Sequence, residues 1–247
     1  MSKPPWVSGP EEILRHGLRL LSEGSDISRR LAMISIDNAV ELTIKTYLGL
    51  PKRITKIGIG RKRFQEINES FPQLLDALEE YCGDKLNGID LGEIEWYHRI
   101  RNELYHNGNG LTVEKEKAEI YAELAKTLFS NLFGCSLEVS GEGEDGRLLG
   151  AFMNHWVNIE KSLKALYMNS KQETGTEDGA KNAAYFGLRE VVLGVNGLID
   201  KSTVKEIESI RDIRNKVIHA QEDISILSES GAVNRAEVVA QKLSKLL

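Results

Sequence analysis

Two short stretches carry the same chemistry-bearing residues at the same spacing: Arg101-Asn102 followed by His106, and Arg214-Asn215 followed by His219. Arginine stays charged at any physiological pH and meets a phosphate with several N–H donors. Histidine titrates near neutrality and moves protons as base or acid. Together these groups suit cleavage of an RNA phosphodiester. RNA supplies its own 2′-hydroxyl nucleophile, so the protein needs a stabiliser of anionic charge and proton carriers, and no metal is required.

The two stretches lie within a longer repeat. Glu93-Ile94-Glu95 and Ile100 precede the first arginine, and Glu206-Ile207-Glu208 and Ile213 precede the second, all at one offset of 113 residues (Arg101 to Arg214). Upstream, Val40-Glu41 with Ile44-Lys45 matches Ile159-Glu160 with Leu163-Lys164, at an offset of 119 (Glu41 to Glu160). The same two elements in the same order point to a duplication.

On a helix turning about 100° per residue, Ile94, Tyr97, Ile100, Leu104 and Tyr105 share an apolar arc of about 140°. Ile207, Ile210, Ile213, Val217 and Ile218 repeat it, and Arg101 and Arg214 fall inside these arcs. A buried guanidinium needs partners. Each histidine, five residues on, sits about 140° away from its arginine, so one motif does not easily bring both groups to one point. Two copies about an approximate two-fold axis would, each giving an arginine and a histidine to a shared cleft. Asn102 and Asn215 share a face with the histidines and would orient either the imidazole or the phosphate. Glu41 and Glu160 could buttress the arginines; a helix-surface pair with Lys45 or Lys164 is the simpler reading. The plainer alternative for the whole motif is an arginine salt-bridged in the core and a histidine facing the helix C-terminus.

R-N-E-L-Y-H at Arg101–His106 and R-N-K-V-I-H at Arg214–His219 resemble the R-x4-H signature of the HEPN superfamily, as does the upstream E-x-x-I/L-K helix. The resemblance spans nearly the whole chain as two domains. It implies an all-α fold of two tandem up-and-down bundles of four or five helices, related by pseudo-two-fold symmetry and facing each other through the motif helices. It also implies a metal-independent endoribonuclease of effector or toxin type, leaving a 2′,3′-cyclic phosphate and a 5′-hydroxyl. Other members are non-catalytic adaptors that bind a nucleotide or a protein. A regulatory or antitoxin partner and a homo-oligomer are further implied. One toxin subgroup carries a tyrosine two residues after the histidine; here those positions are Gly108 and Gln221.

The elements that position these residues read as helices over about Glu11–Leu21, Ser28–Leu48, Phe64–Tyr81 with a kink at Pro72, and Asp90–His106. Thr112 is placed to cap a fifth. After a Gly-rich acidic linker, helices resume over Leu148–Met168, Ala180–Leu193, Ser202–His219 and Ala232–Leu247. The expected domains are residues 1–133 and 147–247, joined by residues 134–146. All five prolines lie at or before Pro72, leaving long helices unbroken beyond it. Between the second and third helices, Lys52, Arg53, Lys56, Arg61, Lys62 and Arg63 form a basic loop, which either grips RNA phosphates or is simply solvated. The net charge of −5 excludes a globally basic nucleic-acid binder and confines RNA contact to such a patch. Gly58-Ile59-Gly60 lacks the spacing of a dinucleotide fingerprint, and His16, His98 and His155 lie at no metal-ligand spacing, so neither cofactor nor metal is expected. Cys82 and Cys135 read as reduced thiols. With no signal-like N-terminus and no membrane-length apolar run, a cytoplasmic location away from membranes is expected.

Overall fold

Prolines and serines set where several helices begin. In the computed structural model, which describes residues 4–106, 112–137, 144–173, 191–192, 194–195 and 197–247, every regular element is helical, and no strand occurs among the described residues. The chain divides into two compact units, Met1–Gly143 and Glu144–Leu247.

In the first unit, α1 (Pro5–Ser22) starts at Pro5, whose fixed φ and missing N–H suit the first helical turn. The helix begins before the expected Glu11, so Pro10 lies inside it and forgoes one backbone bond. The second helix, α2 (Asp26–Gly49), is capped by Ser25, which accepts the Ser28 N–H at 3.0 Å. At Gly17 the two helices come so close that a Cβ would stand 2.8 Å from Ile36 Cγ1 and 3.1 Å from its backbone nitrogen. Two short helices follow, α3 (Lys52–Thr55) and α4 (Arg61–Ile67), so the basic stretch is half helical rather than a continuous loop. Pro72 does not kink one long helix. It occupies the first turn of a separate one, α5 (Phe71–Cys82), capped by Ser70. The motif helix α6 (Leu91–His106) and then α7 (Lys115–Phe133) complete the unit. Thr112 caps nothing: the residue before α7 is Glu114, with no side-chain cap bond. Gly134, at φ 68°, stops α7 in the left-handed conformation that favours glycine. Against α2 pack α1, α5, α6 and α7, around Met33, Ile36, Ile44, Leu74, Leu78, Tyr97, Tyr121 and Phe129.

The second unit begins with α8 (Glu144–Glu173), which starts inside the expected linker and continues past Met168. The helix expected over Ala180–Leu193 lies almost wholly outside the described residues. The second motif helix, α9 (Lys201–Ile218), is capped by Asp200, which accepts the Ser202 and Thr203 N–H groups at 3.1 and 3.0 Å. A one-turn helix, α10 (Ile226–Glu229), was not anticipated; α11 (Ala232–Ser244) then packs on α8 and α9. The core is built mainly from apolar side chains: Phe152, Trp156, Leu163, Ile207, Ile210, Val217, Leu227 and Leu243 are buried. Among the described residues no helix is long and apolar enough to cross a membrane.

Candidate functional site

In the first unit the apolar side of α6 is set by Ile94, Tyr97 and Leu104, all buried. Tyr105, assigned by periodicity to the same arc, is 65% exposed because it falls at that arc's edge near the helix end. Arg101 projects inward, and its side chain is 16% exposed. What receives it is Asp37 of α2, a carboxylate with no exposed surface. Arg101 Nε stands 2.7 Å from Asp37 Oδ2. Its N–H is not aligned for a regular hydrogen bond, so the contact acts chiefly through charge. The other two guanidinium nitrogens donate to Asn102 Oδ1 at 2.9 Å and to Asn38 Oδ1 at 2.8 Å. Asn38 is exposed, so the guanidinium runs from a buried anion to the surface.

Asp37 serves further groups. Its Oδ1 accepts the Tyr121 hydroxyl at 2.7 Å. His98 Nδ1 lies 3.0 Å from Oδ2 and 3.2 Å from Oδ1. A carboxylate can only accept, so the Nδ1 proton points at Asp37. The imidazole is stacked on Phe71 of α5, with centroids 3.9 Å apart and planes 11° apart. Burial, reinforced by the Asp37 charge, holds the Tyr121 hydroxyl well above its ordinary pKa. It therefore remains a donor to Asp37 at any ordinary pH. Three elements, α2, α6 and α7, thus meet at one carboxylate, and α5 covers the imidazole through Phe71.

In the second unit Arg214 is buried, and its Nη1 donates to Asn215 Oδ1 at 3.4 Å. The helix end is well defined. His219 N–H bonds Asn215 O, Ala220 N–H bonds Val217 O at 2.9 Å, and Gln221 N–H bonds Lys216 O at 2.8 Å. This is a Schellman closure, with Ala220 taking the left-handed position at φ 49° where glycine is usual. His219 is exposed at that end, as His106 is at the end of α6.

Each unit thus pairs its motif arginine with the following asparagine, while the histidine stands at the surface. Both asparagines accept from the guanidinium of the preceding arginine. Glu41 divides its carboxylate: Oε1 accepts Lys45 Nζ at 2.5 Å, and Oε2 lies 3.8 Å from Arg101 Nη2. Glu160 is half-buried on α8. Lys52, Arg53, Lys56, Arg61, Lys62 and Arg63 are all exposed; Arg63 lies 3.7 Å from both Glu66 and Glu80. No group of three or more His, Cys, Asp or Glu among the described residues is arranged to hold a metal ion. Sequence reasoning missed Asp37, His98 and Tyr121. The available signal was an aspartate in the buried stripe of Met33, Ile36, Val40 and Ile44, and a histidine three residues before Arg101 on the same face. Compared with family models, curated proteins and solved structures, the chain matches none.

Proposed function

We propose that the chain is an RNA endonuclease of the HEPN kind, built from tandem helical copies and cleaving by attack of the 2′-hydroxyl on its own phosphate. Arg101 and Arg214 stabilise the crowded anionic phosphorus, His106 and His219 move protons, and Asn102 and Asn215 fix the guanidinium planes. The basic segment from Lys52 to Arg63 grips the RNA backbone. The observation that carries this reading is the twofold occurrence of one unusual arrangement: a largely buried arginine tied to its neighbouring asparagine, with an exposed histidine closing the same helix. Sustaining a buried cation twice is costly unless the charge is used or matched.

The test is incubation of purified protein with mixed RNAs in EDTA, followed by end analysis. The expected products carry 2′,3′-cyclic phosphate and 5′-hydroxyl ends, and the equivalent DNA resists. His106→Ala and His219→Ala each lose on the order of 10²–10⁴-fold in rate while staying folded, and the double variant is little worse than either single. Cleavage abolished by EDTA and restored by magnesium, or no cleavage at all, overturns the reading. A second reading, a non-catalytic adaptor for a nucleotide or protein, draws on one observation: Asp37 already offsets the charge of Arg101. Nucleotide binding without RNA cleavage would favour it.

A further inference from the structure

The imidazole best prepared for proton transfer in the first unit is outside the repeated motif. His98 is held on three sides: its Nδ1–H donates to Asp37 at 3.0 Å, Phe71 covers a ring face at 3.9 Å, and the helix backbone fixes its root. Its side chain is still 14% exposed. Nε2 makes no hydrogen bond to any described residue. With Nδ1 protonated toward the carboxylate, Nε2 carries the lone pair in the neutral ring. Three residues on, and therefore on the same face of α6, Arg101 meets the same Asp37 oxygen at 2.7 Å. One buried carboxylate thereby sets the position of a base and of a permanent cation side by side. His106, eight residues beyond His98, lies about 12 Å further along the helix axis.

We propose that His98 is the general base of the first unit, with Asp37 as its positioning residue. The role rests on the ribonuclease reading above and assigns within it a residue outside the R-N-x3-H motif. Nε2 takes the 2′-hydroxyl proton as that oxygen forms its bond to phosphorus, and Arg101 faces the developing negative charge. The P–O5′ bond breaks, its electron pair leaves with the 5′ oxygen, and that oxygen takes a proton from the imidazolium of a motif histidine. The proton gained by His98 and the one lost by the motif histidine re-equilibrate through water, which restores the enzyme. The charged and titratable groups that share the Asp37 network with His98 are Tyr121 from α7 and Arg101 from its own helix; Glu41 of α2 lies 3.8 Å from the far side of that guanidinium, and α5 contributes Phe71.

The decisive variant is His98→Asn. Its side-chain amide can still donate to Asp37 while the Nε2 position is deleted, so the network keeps its donor. Single-turnover cleavage of an RNA oligonucleotide is expected to fall on the order of 10²–10⁴-fold. A base must be deprotonated to act, so the wild-type rate rises with pH on the acid side of its profile, and His98→Asn is expected to flatten that limb. Near-wild-type cleavage by a folded His98→Asn, or an unchanged acid limb, makes His98 purely structural and overturns the inference while leaving the ribonuclease reading intact. Wild-type protein that cleaves no RNA ends both. Should His98→Asn fail to fold, long-range ¹H–¹⁵N spectra of the wild-type imidazole decide. A neutral ring protonated at Nδ1 is required, and a proton on Nε2 with Nδ1 bare overturns the assignment.

Discussion

The two motif helices carry the same arginine, asparagine and histidine, yet different chemistry stands behind them. In repeat register, Asp37 of the first unit corresponds to Trp156 of the second, Asn38 to Val157, and His98 to Arg211. Asp37 has no exposed surface and binds three side chains from two other helices. Trp156 is likewise buried, but it fills its place with an indole on a helix whose Phe152, Ile159 and Leu163 are also buried. Behind Arg101 stands a polar network around a buried anion, whereas the position 119 residues after Asp37 is filled by buried apolar volume. The motif alone therefore does not determine its support. At the position of His98 the second unit carries Arg211, so that unit has no histidine three residues before its motif arginine.

The largest expected effect strikes at that difference. Asp37→Asn removes the charge that offsets Arg101 and turns an acceptor-only group into one that also presents donors to Arg101 and His98. Breaking a buried ion pair from one side costs about 3–5 kcal/mol, so the first unit should lose most of its margin in urea unfolding. Trp156→Phe in the second unit trims apolar volume without stranding a charge and costs about 1–3 kcal/mol. Equal losses would mean that Asp37 is no more than a space-filler.

How far the sequence revealed this difference can be traced residue by residue. Helix periodicity placed Ile94, Tyr97, Ile207 and Ile210 inward and Arg101 and Arg214 with them, because an alternating apolar stripe is a local property. Boundaries were less legible where one residue type has two uses. Pro72 suits a first turn as well as a kink, and Pro10 was tolerated inside a helix that Pro5 had already begun. The Asp37 network was the least legible part. Its members are 61 and 84 residues apart in the chain, and no local spacing relates α2 to α6 and α7. Only the packing of three helices on one another brings them to a single carboxylate.

Alkaline titration sharpens the comparison with a smaller effect. Burial pushes the Cys82 thiol up from 9.0 to about 12, helped by Asp84, and the neighbouring Tyr47 hydroxyl, also through burial first, to about 12. For both groups the native state holds its proton where the unfolded chain has lost it. Stability is therefore full below pH 9 and falls as pH rises from 9 towards 12. All these groups, Tyr121 included, belong to the first unit. In the second unit Asp200 is shifted the other way: hydrogen bonds from Lys242, Ser202 and Thr203 hold its carboxyl well below the usual 3.8. Its contribution is present above pH 3.8 and is lost as pH falls through and below that value. Urea unfolding at pH 8 and pH 10.5 should show a loss of about 2–3 kcal/mol. Cys82→Ala should lessen that loss, although the variant is less stable at pH 8. An alkaline slope unchanged in Cys82→Ala would remove the thiol from the account.

The smallest effect concerns how the second motif helix ends. Ala220 takes the left-handed position of the Schellman closure immediately after His219, at φ 49°. A Cβ there crowds the backbone by about 1–2 kcal/mol relative to right-handed conformations, and the loop retains it because two hydrogen bonds, from Ala220 to Val217 and from Gln221 to Lys216, close the turn. Ala220→Gly relieves that crowding. It also gives the unfolded chain more freedom, which takes back about 0.4–1 kcal/mol. The expected net gain in urea unfolding is thus up to about 1 kcal/mol, with the hydrogen bonds unchanged. RNA cleavage by this variant then separates two uses of the strain. If the closure only stops the helix, activity stays within about threefold of wild type, because His219 keeps its place. If the strained turn holds His219 for reaction, the variant becomes more stable and at least tenfold slower, the trade expected of a functional site. Lower stability in Ala220→Gly would show instead that the turn prefers a side chain at this position, and that no strain is stored beside His219.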